Sequence, residues 1–376
     1  LDGISAFGYD KVGNLTSTLD ERTNPTNFQY DARNRLVRMT NALGDFTQYS
    51  YDGVGNQLSF TDEENRQTDY TYDALNRLVA IDAPLSRRTT FGYDANDNLT
   101  SVTDARTHTT HYTYDQLNRQ VTRIDAEGET SSLTYDAVGN VTAVTDELNR
   151  MTQFRYDQRN LQTAVIDPLA QVTTSTYDEV GNLVAVTNDL GQATQYEYDR
   201  LYRLTKITDA TTEDTLMAYD EVGNLTQLKD ASDNVTTFTY DELNRLDTET
   251  ITVEGIALTR DYDYDATSNL TGLTDRNGRE RTFGYDGLNR QAQEQWLDAQ
   301  GNAIHTIDYT YFKDSQLKTA GDAFSNYAYT YDLAGRLATV DNSGTTGVPN
   351  VVLSYGYDAV NNRTSVTDTI DGVAAG

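Results

Sequence analysis

Aspartate is the residue type in this sequence with the greatest capacity for chemistry. The 376 residues include 58 Asp and Glu, and two carboxylates close together can serve as the acid and base of a glycosidase or as the dyad of an aspartyl protease. Almost every Asp, however, stands at a turn position that recurs along the chain, as at Asp52, Asp73 and Asp136. A catalytic pair should be unique, so the sequence predicts a protein that is not an enzyme.

The three histidines offer no second route to catalysis. His108 and His111 are expected on one strand, where a spacing of three points their side chains to opposite faces, and His305 is remote from both in sequence. Cysteine is absent, and the chain contains no Gly-x-Ser-x-Gly, phosphate-binding glycine loop, His-Glu-x-x-His or EF-hand pattern. We therefore expect no cofactor. Calcium at the acidic turns is the alternative, although each turn offers few oxygen ligands.

An internal repeat positions the aspartates. Tyr-Asp occurs twelve times at intervals of 21 residues between Tyr9 and Tyr240 and continues less regularly to Tyr357. About seventeen units therefore form a single array over residues 1–376, with regular units in 1–245 and irregular units with insertions in 246–376. The positions that define the unit are Tyr30, Asp31, Tyr51, Asp52, Gly55, Tyr72, Asp73, Arg77, Tyr135, Asp136, Gly139, Tyr177, Asp178, Gly181, Tyr219, Asp220, Gly223, Tyr240 and Asp241.

Each unit has the pattern of one β-hairpin. The residues before Tyr-Asp alternate with a period of two, as in 68–72 and 236–240, and they are rich in Thr and aromatic residues, which suits a pleated strand. Asp-x-x-Gly-Asn or Asp-x-x-Asn-Arg then forms a turn, because Asp accepts main-chain hydrogen bonds and Gly or Asn tolerates positive φ. A second strand and a second turn complete the unit. The predicted fold class is all-β, with tandem hairpins in one antiparallel ribbon.

The ribbon should contain about thirty-four strands. Neighbouring strands twist by about 20–25°, so a regular array is expected to wind into a spiral: a solenoid-like hollow shell or a superhelix. The Tyr of Tyr-Asp is never replaced by Phe. We therefore predict that its hydroxyl has a polar partner, while the rings form a cross-strand aromatic ladder. Stacking of carbohydrate on this tyrosine face is the alternative.

Two turn variants alternate along the array. The heptapeptide YDEVGNL at 177–183 returns at 219–225, because each Gly-Asn turn is followed by an Asn-Arg turn or a near equivalent. Turn aspartates of successive hairpins are expected roughly 10 Å apart, which is two strand spacings, and an Arg in every second turn would reduce their repulsion. We predict that Arg77 lies near Asp52 or Asp94.

The composition excludes several classes of partner. A formal net charge of −29 opposes binding to nucleic acid and to an anionic membrane surface. No apolar run approaches the length of about 20 residues that spans a bilayer, and the first residues lack a signal-peptide pattern. We expect no membrane insertion. Because the repeat runs to both ends, we interpret the sequence as a segment of a longer protein.

The motif YDEVGNL, the motif YDELNRL at 240–246 and the Thr-Asp stretch at 145–152 resemble the YD repeats of RHS proteins, toxin-complex shell components and teneurins. The resemblance covers essentially the whole chain. It implies a hairpin strip that spirals into a hollow cocoon, which in bacterial members encloses a C-terminal toxic domain. The implied location is secreted or at the bacterial cell surface, and the implied partners are other segments of the same polypeptide and an encapsulated toxin domain. Autoproteolysis, found in some relatives, is not implied, since the one Asp-Pro, at 167–168, lies in an ordinary repeat turn.

Three insertions interrupt the later units, at 250–260, at 295–309 and at 341–351. Loops longer than a chain reversal requires are often binding loops, so the sole tryptophan, Trp296, marks the candidate contact surface. The predicted function is a non-catalytic structural segment that encapsulates or presents another polypeptide. The alternative is an adhesion module that binds carbohydrate or protein through the tyrosine face or the insertions.

Overall fold

The secondary structure consists of strands. The structure, a computed structural model, describes residues 5–375 and contains no helix in that range. The strands are β1 (Ala6–Tyr9), β2 (Leu15–Leu19), β3 (Pro25–Tyr30), β4 (Leu36–Thr40), β5 (Phe46–Tyr51), β6 (Gln57–Thr61), β7 (Gln67–Tyr72), β8 (Leu78–Ala83), β9 (Arg87–Tyr93), β10 (Leu99–Thr103), β11 (Thr109–Tyr114), β12 (Gln120–Ile124), β13 (Thr130–Tyr135), β14 (Val141–Thr145), β15 (Met151–Tyr156), β16 (Gln162–Ile166), β17 (Val172–Tyr177), β18 (Leu183–Thr187), β19 (Ala193–Tyr198), β20 (Leu204–Thr208), β21 (Asp214–Tyr219), β22 (Leu225–Lys229), β23 (Val235–Tyr240), β24 (Leu246–Val253), β25 (Ile256–Tyr264), β26 (Leu270–Thr274), β27 (Glu280–Tyr285), β28 (Gln291–Leu297), β29 (Ala303–Tyr311), β30 (Leu317–Gly321), β31 (Asn326–Tyr331), β32 (Leu337–Asp341), β33 (Val351–Tyr357), β34 (Arg363–Ile370) and β35 (Val373–Ala375).

Strands that follow one another in sequence pair antiparallel, and all thirty-five belong to one sheet. In a representative unit, β13 pairs with β14 through Leu133 opposite Val144. On its other edge, β14 pairs with β15 through the same Val144, which lies opposite Thr152. Each 21-residue unit therefore supplies one hairpin, and the predicted all-β ribbon of tandem hairpins is confirmed.

A β-bulge lies at the end of the strand that carries Tyr-Asp. Thr134 pairs with Ala143 while Tyr135 pairs with Val141, so Thr142 is an extra residue on the second strand. The same shift occurs in units throughout the chain. Bulges increase the local right-handed twist of a sheet. The bulge is not evident from the sequence, because the alternation of polar and aromatic residues continues through the tyrosine without a break.

Two kinds of turn close each unit. The Tyr-Asp turn is the five residues that begin with the Asp of Tyr-Asp, and the return turn is the equivalent segment after the second strand. In both kinds of turn, the main-chain N–H of the first residue donates a hydrogen bond to the carbonyl of the fifth. The N···O distance is 3.0 Å between Asp136 and Asn140 in a Tyr-Asp turn, and 3.0 Å between Asp125 and Glu129 in a return turn. The fourth residue has positive φ, 102° at Gly139. The predicted turn chemistry is confirmed.

No conventional hydrophobic core forms in the described residues. The only buried side chains there are those of Ala80, Ala143, Ala164 and Thr47, and the aromatic rings of the strands are mostly half-buried. Regular main-chain pairing and the polar contacts of the turns must therefore carry a large share of the stability. No helix in the described residues is long and apolar enough to cross a bilayer.

Contacts divide the chain into two compact units. Unit 1 contains Leu1–Phe91, Thr103–His108 and Asp261–Gly376, and unit 2 contains Gly92–Val102 and Thr109–Arg260. Within unit 1, turns from the first part of the chain contact turns from the last part, with partners 248 to 274 residues apart in sequence. The predicted division into regular and irregular repeats concerns the sequence pattern and stays a prediction.

Candidate functional site

The carboxylate of each Gly-Asn turn is used by its own turn. Asp136 Oδ1 accepts hydrogen bonds from the main-chain N–H groups of Val138, Gly139 and Asn140, at 3.0, 2.8 and 2.9 Å. Its Oδ2 accepts from Asn140 Nδ2 at 2.8 Å. These bonds, chiefly those of Asn140, hold the pKa of the Asp136 carboxyl below its usual value. Such a carboxylate is ionised and fully engaged, and so it is unsuited to proton transfer.

The Asn-Arg turns replace the amide donor with a guanidinium. Asp73 Oδ1 accepts from the main-chain N–H groups of Leu75 and Arg77, and Asp73 Oδ2 forms an ion pair with Arg77 Nε at 2.8 Å. The main-chain and side-chain bonds from Arg77 lower the pKa of Asp73. The ion pair of Arg77 thus lies within its own turn. A position of Arg77 beside Asp52 or Asp94 stays a prediction.

The arginine of an Asn-Arg turn also reaches the next hairpin. Arg119 Nη1 donates to the main-chain carbonyl of Asp136 at 3.0 Å, and its guanidinium lies 4.5 Å from the ring centroid of Tyr135. The same stacking occurs in four further pairs, Arg35–Tyr51, Arg203–Tyr219, Arg290–Tyr311 and Arg336–Tyr357. Each such arginine therefore joins two successive units.

These contacts correct the expected aromatic ladder. Tyrosines of successive Tyr-Asp turns are separated by two strand spacings, roughly 10 Å, whereas aromatic pairs require centroids about 4.5–7 Å apart. The ring pairs Tyr49–Phe60 and Phe312–Tyr331 each join a tyrosine to a phenylalanine, and neither joins two tyrosines of Tyr-Asp. At tyrosines that follow an arginine-ending turn, such as Tyr51, Tyr135 and Tyr219, the flat guanidinium of the preceding turn covers the ring instead.

The prediction that the tyrosine hydroxyl has a polar partner is confirmed. Tyr135 Oη donates to the main-chain carbonyl of Gln120 at 2.7 Å, fifteen residues earlier. Equivalent bonds start from Tyr51, Tyr114, Tyr156, Tyr177, Tyr198, Tyr219, Tyr240, Tyr285, Tyr311, Tyr331 and Tyr357. Each accepting carbonyl belongs to the preceding hairpin, so the hydroxyl holds neighbouring units together.

The other predicted repeat positions occupy matching places in their units. Tyr30 and Tyr72 end β3 and β7. The turn N–H groups donate to the carboxylates of Asp31, Asp52, Asp178, Asp220 and Asp241, and positive φ occurs at Gly55, Gly181 and Gly223. The structure therefore spreads these residues along the array and does not gather them into one site.

An amide contact explains why the two turn variants alternate. Asn140 Nδ2 of a Gly-Asn turn donates to Asn160 Oδ1 of the following turn at 3.0 Å. The same contact joins Asn14–Asn34, Asn56–Asn76, Asn98–Asn118, Asn224–Asn244 and Asn269–Asn289. A Gly-Asn turn thus binds forward through an amide, and an Asn-Arg turn binds forward through a guanidinium. Two successive units, 42 residues in all, therefore contain one connection of each kind to the following turn.

A seam of charged contacts within unit 1 was missed by the sequence analysis. Arg22 of a return turn donates to the carbonyls of Tyr285 and Asp286, at 3.0 and 3.2 Å. Three other return-turn arginines also contact late Tyr-Asp turns, in the pairs Arg66–Asp314, Arg87–Asn361 and Arg106–Asp358. We call this row the seam. Its signal in the sequence is an arginine in four of the first five return turns, against one in the next six.

Two of the three late insertions, at 250–260 and 295–309, lengthen strands instead of forming separate loops. β24 and β25 have eight and nine residues, and β28 and β29 have seven and nine. Trp296 lies half-buried on β28, where its Nε1 donates to Glu294 at 2.9 Å and the Arg281 guanidinium lies 5.3 Å from its ring. Whether Trp296 contacts a partner stays a prediction.

A groove of about 640 Å³ lies beside the second insertion. Its walls include His305, Asp308, Asp322 and Phe324, and the Phe324 side chain is 74% exposed. His305 Nε2 lies 3.3 Å from Asp322 Oδ2. The groove therefore combines an exposed apolar ring with hydrogen-bonding groups.

The histidines differ from one expectation. His108 ends a return turn, with its N–H bonded to Asp104, and only His111 lies on β11. The strand assignment for His108 is wrong, because the turn needs a fifth residue before the strand can start. Within the described residues, no three His, Cys, Asp or Glu side chains are grouped to hold a metal ion.

Comparison with protein families gives one match, to the RHS Repeat model, and the matched segments together cover well over half of the chain. No curated protein sequence matches. The matched residues are 9–45, 30–59, 51–89, 81–109, 93–130, 135–172, 177–214, 219–257 and 264–302.

Several solved structures are similar in fold. A TcdB2-TccC3-Cdc42 crystal structure has a TM-score of 0.78 at 14% identity, over 98% of this chain and 23% of that one. The Tc holotoxin pore of Photorhabdus luminescens, with a TccC3 substitution, has a TM-score of 0.65 at 14% identity, over 98% of this chain and 23% of that one. A crystal structure of TcdB2-TccC3 without its hypervariable C-terminal region has a TM-score of 0.63 at 13% identity, over 97% of this chain and 24% of that one. The chain thus spans about a quarter of the length of these chains.

Proposed function

We propose a structural role for this chain, which belongs to the RHS-repeat family: it forms a non-catalytic wall segment of a β-shell that encapsulates or presents another polypeptide. The observation that carries the proposal is the use of the recurring polar groups. The turn carboxylates, the tyrosine hydroxyls and the turn arginines bond to their own or the neighbouring hairpin, as at Asp136, Tyr135 and Arg119. These bonds support a structural role, because they use the recurring polar groups to join one hairpin to the next.

The seam supports the same role. Four arginines of early return turns contact Tyr-Asp turns more than 240 residues later, so one length of the strip lies edge to edge against another within unit 1. Edge contacts of this kind close the gap between adjacent lengths of a strip. A wall that encloses a polypeptide needs such closure.

The encapsulated partner is proposed to be a toxin domain, and the location to be extracellular, either secreted or at a bacterial cell surface. The similar structures are described as TcdB2-TccC3 assemblies, and one is described as a holotoxin pore. Because the chain spans about a quarter of those chains, the cargo would come from a longer polypeptide of the same kind.

Protease protection tests this proposal. A reporter polypeptide fused after residue 376 should be cleaved much more slowly than the free reporter, because the wall shields it. The protection should fall when the seam is weakened by Arg22→Glu together with Arg66→Glu. Equal cleavage of the fused and free reporters would argue against encapsulation by this segment.

A second candidate function is carbohydrate binding at the groove beside β29. An exposed aromatic ring next to carboxylate and amide acceptors is a chemistry that suits a sugar, and Phe324 with Asp308 and Asn326 provides it. The tyrosine face is less suitable, because its hydroxyls are already bonded. A glycan array with the wild-type chain and with Phe324→Ala tests this candidate; saturable binding that the substitution abolishes would support it.

A further inference from the structure

Two kinds of contact hold unit 1 together. Main-chain ladders join strands that follow one another in sequence, as β7 with β8 and β29 with β30. Across the seam, each contact involves a side chain, as in the pairs Arg22–Asp286, Arg66–Asp314 and Arg106–Asp358. Separating the two lengths of strip therefore breaks side-chain contacts and leaves the ladders intact. A region held in this way can open at a lower free energy than global unfolding requires.

One late Tyr-Asp turn differs from the others, because Phe312 stands where they have Asp. In an ordinary turn the first carboxylate accepts the N–H groups of its own turn, as Asp73 does. Here the carboxylate belongs to the third residue, Asp314, whose Oδ1 accepts from the Gln316 N–H at 3.1 Å. Its Oδ2 forms an ion pair with Arg66 across the seam. This turn thus directs its carboxylate toward the other length of strip.

The ion pair between Arg66 and Asp314 lies deep in the seam. The two side chains are 16% and 8% exposed, and a Cβ on Gly335 would lie 3.0 Å from Arg66 Nη1. Beside the pair, the main-chain N–H of Lys313 donates to Glu64 Oε1 at 2.8 Å. We call the ion pair and this hydrogen bond the latch. Loss of one member of a little-exposed ion pair leaves the other charge uncompensated, so the latch should dominate the stability of the seam.

We propose that the seam opens while the hairpins on both sides of it stay folded, and that the latch controls this opening. Charged contacts weaken as salt shortens the Debye length, from about 8 Å at physiological ionic strength to about 3 Å at 1 M. The main-chain ladders carry no net charge and should respond far less. The proposal rests on the wall role only for its consequence, which is that an open seam leaves a gap in the wall.

A single thiol placed in the seam reports the opening. A Cβ on Gly287 would lie 3.4 Å from Leu43 Cδ2 and 3.8 Å from Ala42 Cβ, both on the other length of strip. The sequence contains no cysteine, so Gly287→Cys introduces one thiol, which an alkylating reagent reaches chiefly when the seam is open. The control site is Gly92→Cys on β9, where the Cβ would lie 3.7 Å from Ser101 Cβ within one hairpin.

The alkylation rate of Gly287→Cys under native conditions tests the proposal. The rate should rise as salt is increased from physiological to about 1 M. Adding Arg66→Ala or Asp314→Asn should raise it about tenfold or more at physiological salt. Neither the salt nor these substitutions should change the rate at Gly92→Cys. Circular dichroism establishes that each variant is folded.

Arg150→Ala is the matched control for Arg66→Ala. The two arginines end closely similar return turns, Asp-Glu-Leu-Asn-Arg and Asp-Glu-Glu-Asn-Arg. Each forms an ion pair with the first Asp of its own turn, at 2.7 Å for Arg150 and 2.6 Å for Arg66. Arg66 in addition crosses the seam to Asp314. Arg150→Ala should therefore leave the alkylation rate of Gly287→Cys unchanged.

A disulfide checks that the seam is closed in the parent chain and that the new cysteine does not itself force it apart. The Cβ separation of 3.8 Å between Ala42 and Gly287 suits a disulfide, so the double variant Ala42→Cys, Gly287→Cys should form one under mild oxidation at physiological salt. Peptide mass spectrometry without reduction detects it.

Three results would overturn the proposal. The first is no disulfide between positions 42 and 287, and the second is an alkylation rate at Gly287→Cys that Arg66→Ala does not raise. The third is an equal increase at Gly92→Cys, which would mean that the whole chain unfolds. These measurements need no cargo. A thiol that responds as expected, in a chain that does not protect a fused reporter, would contradict encapsulation and leave the latch standing.

Discussion

The Tyr114 hydroxyl donates a 2.8 Å hydrogen bond to the main-chain carbonyl of Leu99 in the preceding hairpin. The same strand, β11, carries Tyr112 two residues earlier, at a position where other units have Phe, such as Phe28 and Phe154. One strand therefore contains a tyrosine whose hydroxyl joins two units and a tyrosine whose hydroxyl the pattern does not require. This pair allows the role of the repeated hydroxyl to be measured directly.

We predict that Tyr114→Phe lowers the free energy of unfolding by about 1 kcal/mol, because it removes the donor and leaves the Leu99 carbonyl without it. Tyr112→Phe, on the same strand, should change it by less than about 0.5 kcal/mol. Urea titration followed by circular dichroism provides both values. Equal effects of the two substitutions would contradict the structural role given to the Tyr-Asp hydroxyl.

The Gly-Asn turn at 52–56 offers a test of backbone conformation. Gly55 has a φ of 113°, whereas Gly53 in the same turn has no positive φ, and a Cβ on either would meet nothing within 4 Å. Gly55→Ala should therefore destabilise the chain by about 1–2 kcal/mol through backbone strain alone. Gly53→Ala should be neutral or slightly stabilising, by about 0.4–1 kcal/mol, because it restricts the unfolded chain. The urea midpoints of the two variants should move in different directions, and a shared direction would contradict the turn assignment.

The seam predicts a large difference between two similar arginines. Arg66→Ala leaves Asp62 and Asp314 without their shared partner in a half-buried place, and loss of one member of such a pair costs roughly 3 kcal/mol. Arg150→Ala removes one exposed ion pair and should cost less than about 1 kcal/mol. Urea unfolding measures both variants. If the two substitutions cost the same, the Arg66–Asp314 contact does not hold unit 1 together.

The turn carboxylates predict the response to acid. Hydrogen bonds from the side chain and main chain of Arg279 lower the pKa of Asp275 from 3.8 to about 2, and the pKa values of Asp73 and Asp136 are lowered too. A pKa that is lower in the folded state means that the unfolded state binds more protons in acid. This stabilisation is complete above the unfolded pKa and is lost as the pH falls from about 4 towards about 2.

The urea midpoint should therefore fall steadily through that pH range. Asp275→Asn removes one titrating group, so the midpoint should fall near neutral pH, change least near pH about 2, and depend less on pH between the two. A wild-type midpoint that is constant, or that rises, on acidification below pH about 4 would contradict the hydrogen-bonded carboxylates described for the turns.

Local features were predictable from the sequence because they repeat. The period of 21, the alternation before Tyr135 and the turn residues from Asp136 to Asn140 each follow from short-range rules of strands and turns. The need for a tyrosine hydroxyl was evident because Phe never replaces it. The expected aromatic ladder was wrong because the two-strand spacing separates the rings, and the stacked guanidinium of Arg119 shows what the alternation of turns provides instead.

The seam was not predictable in the same way. Arg22 meets Asn289, and Arg87 meets Asn361, across 267 and 274 residues of chain. The number of hairpins between such partners depends on twist accumulated over many strands, and small changes in twist per strand shift the meeting point by a whole unit. The arginines of the return turns were visible in the sequence, but their partners were not.

The most direct test of the wall assignment is single-particle electron microscopy of the purified chain. We expect class averages in which a thin, curved wall one sheet thick bounds an open lumen, together with no saturable binding to glycans. A compact solid particle without a lumen would contradict it.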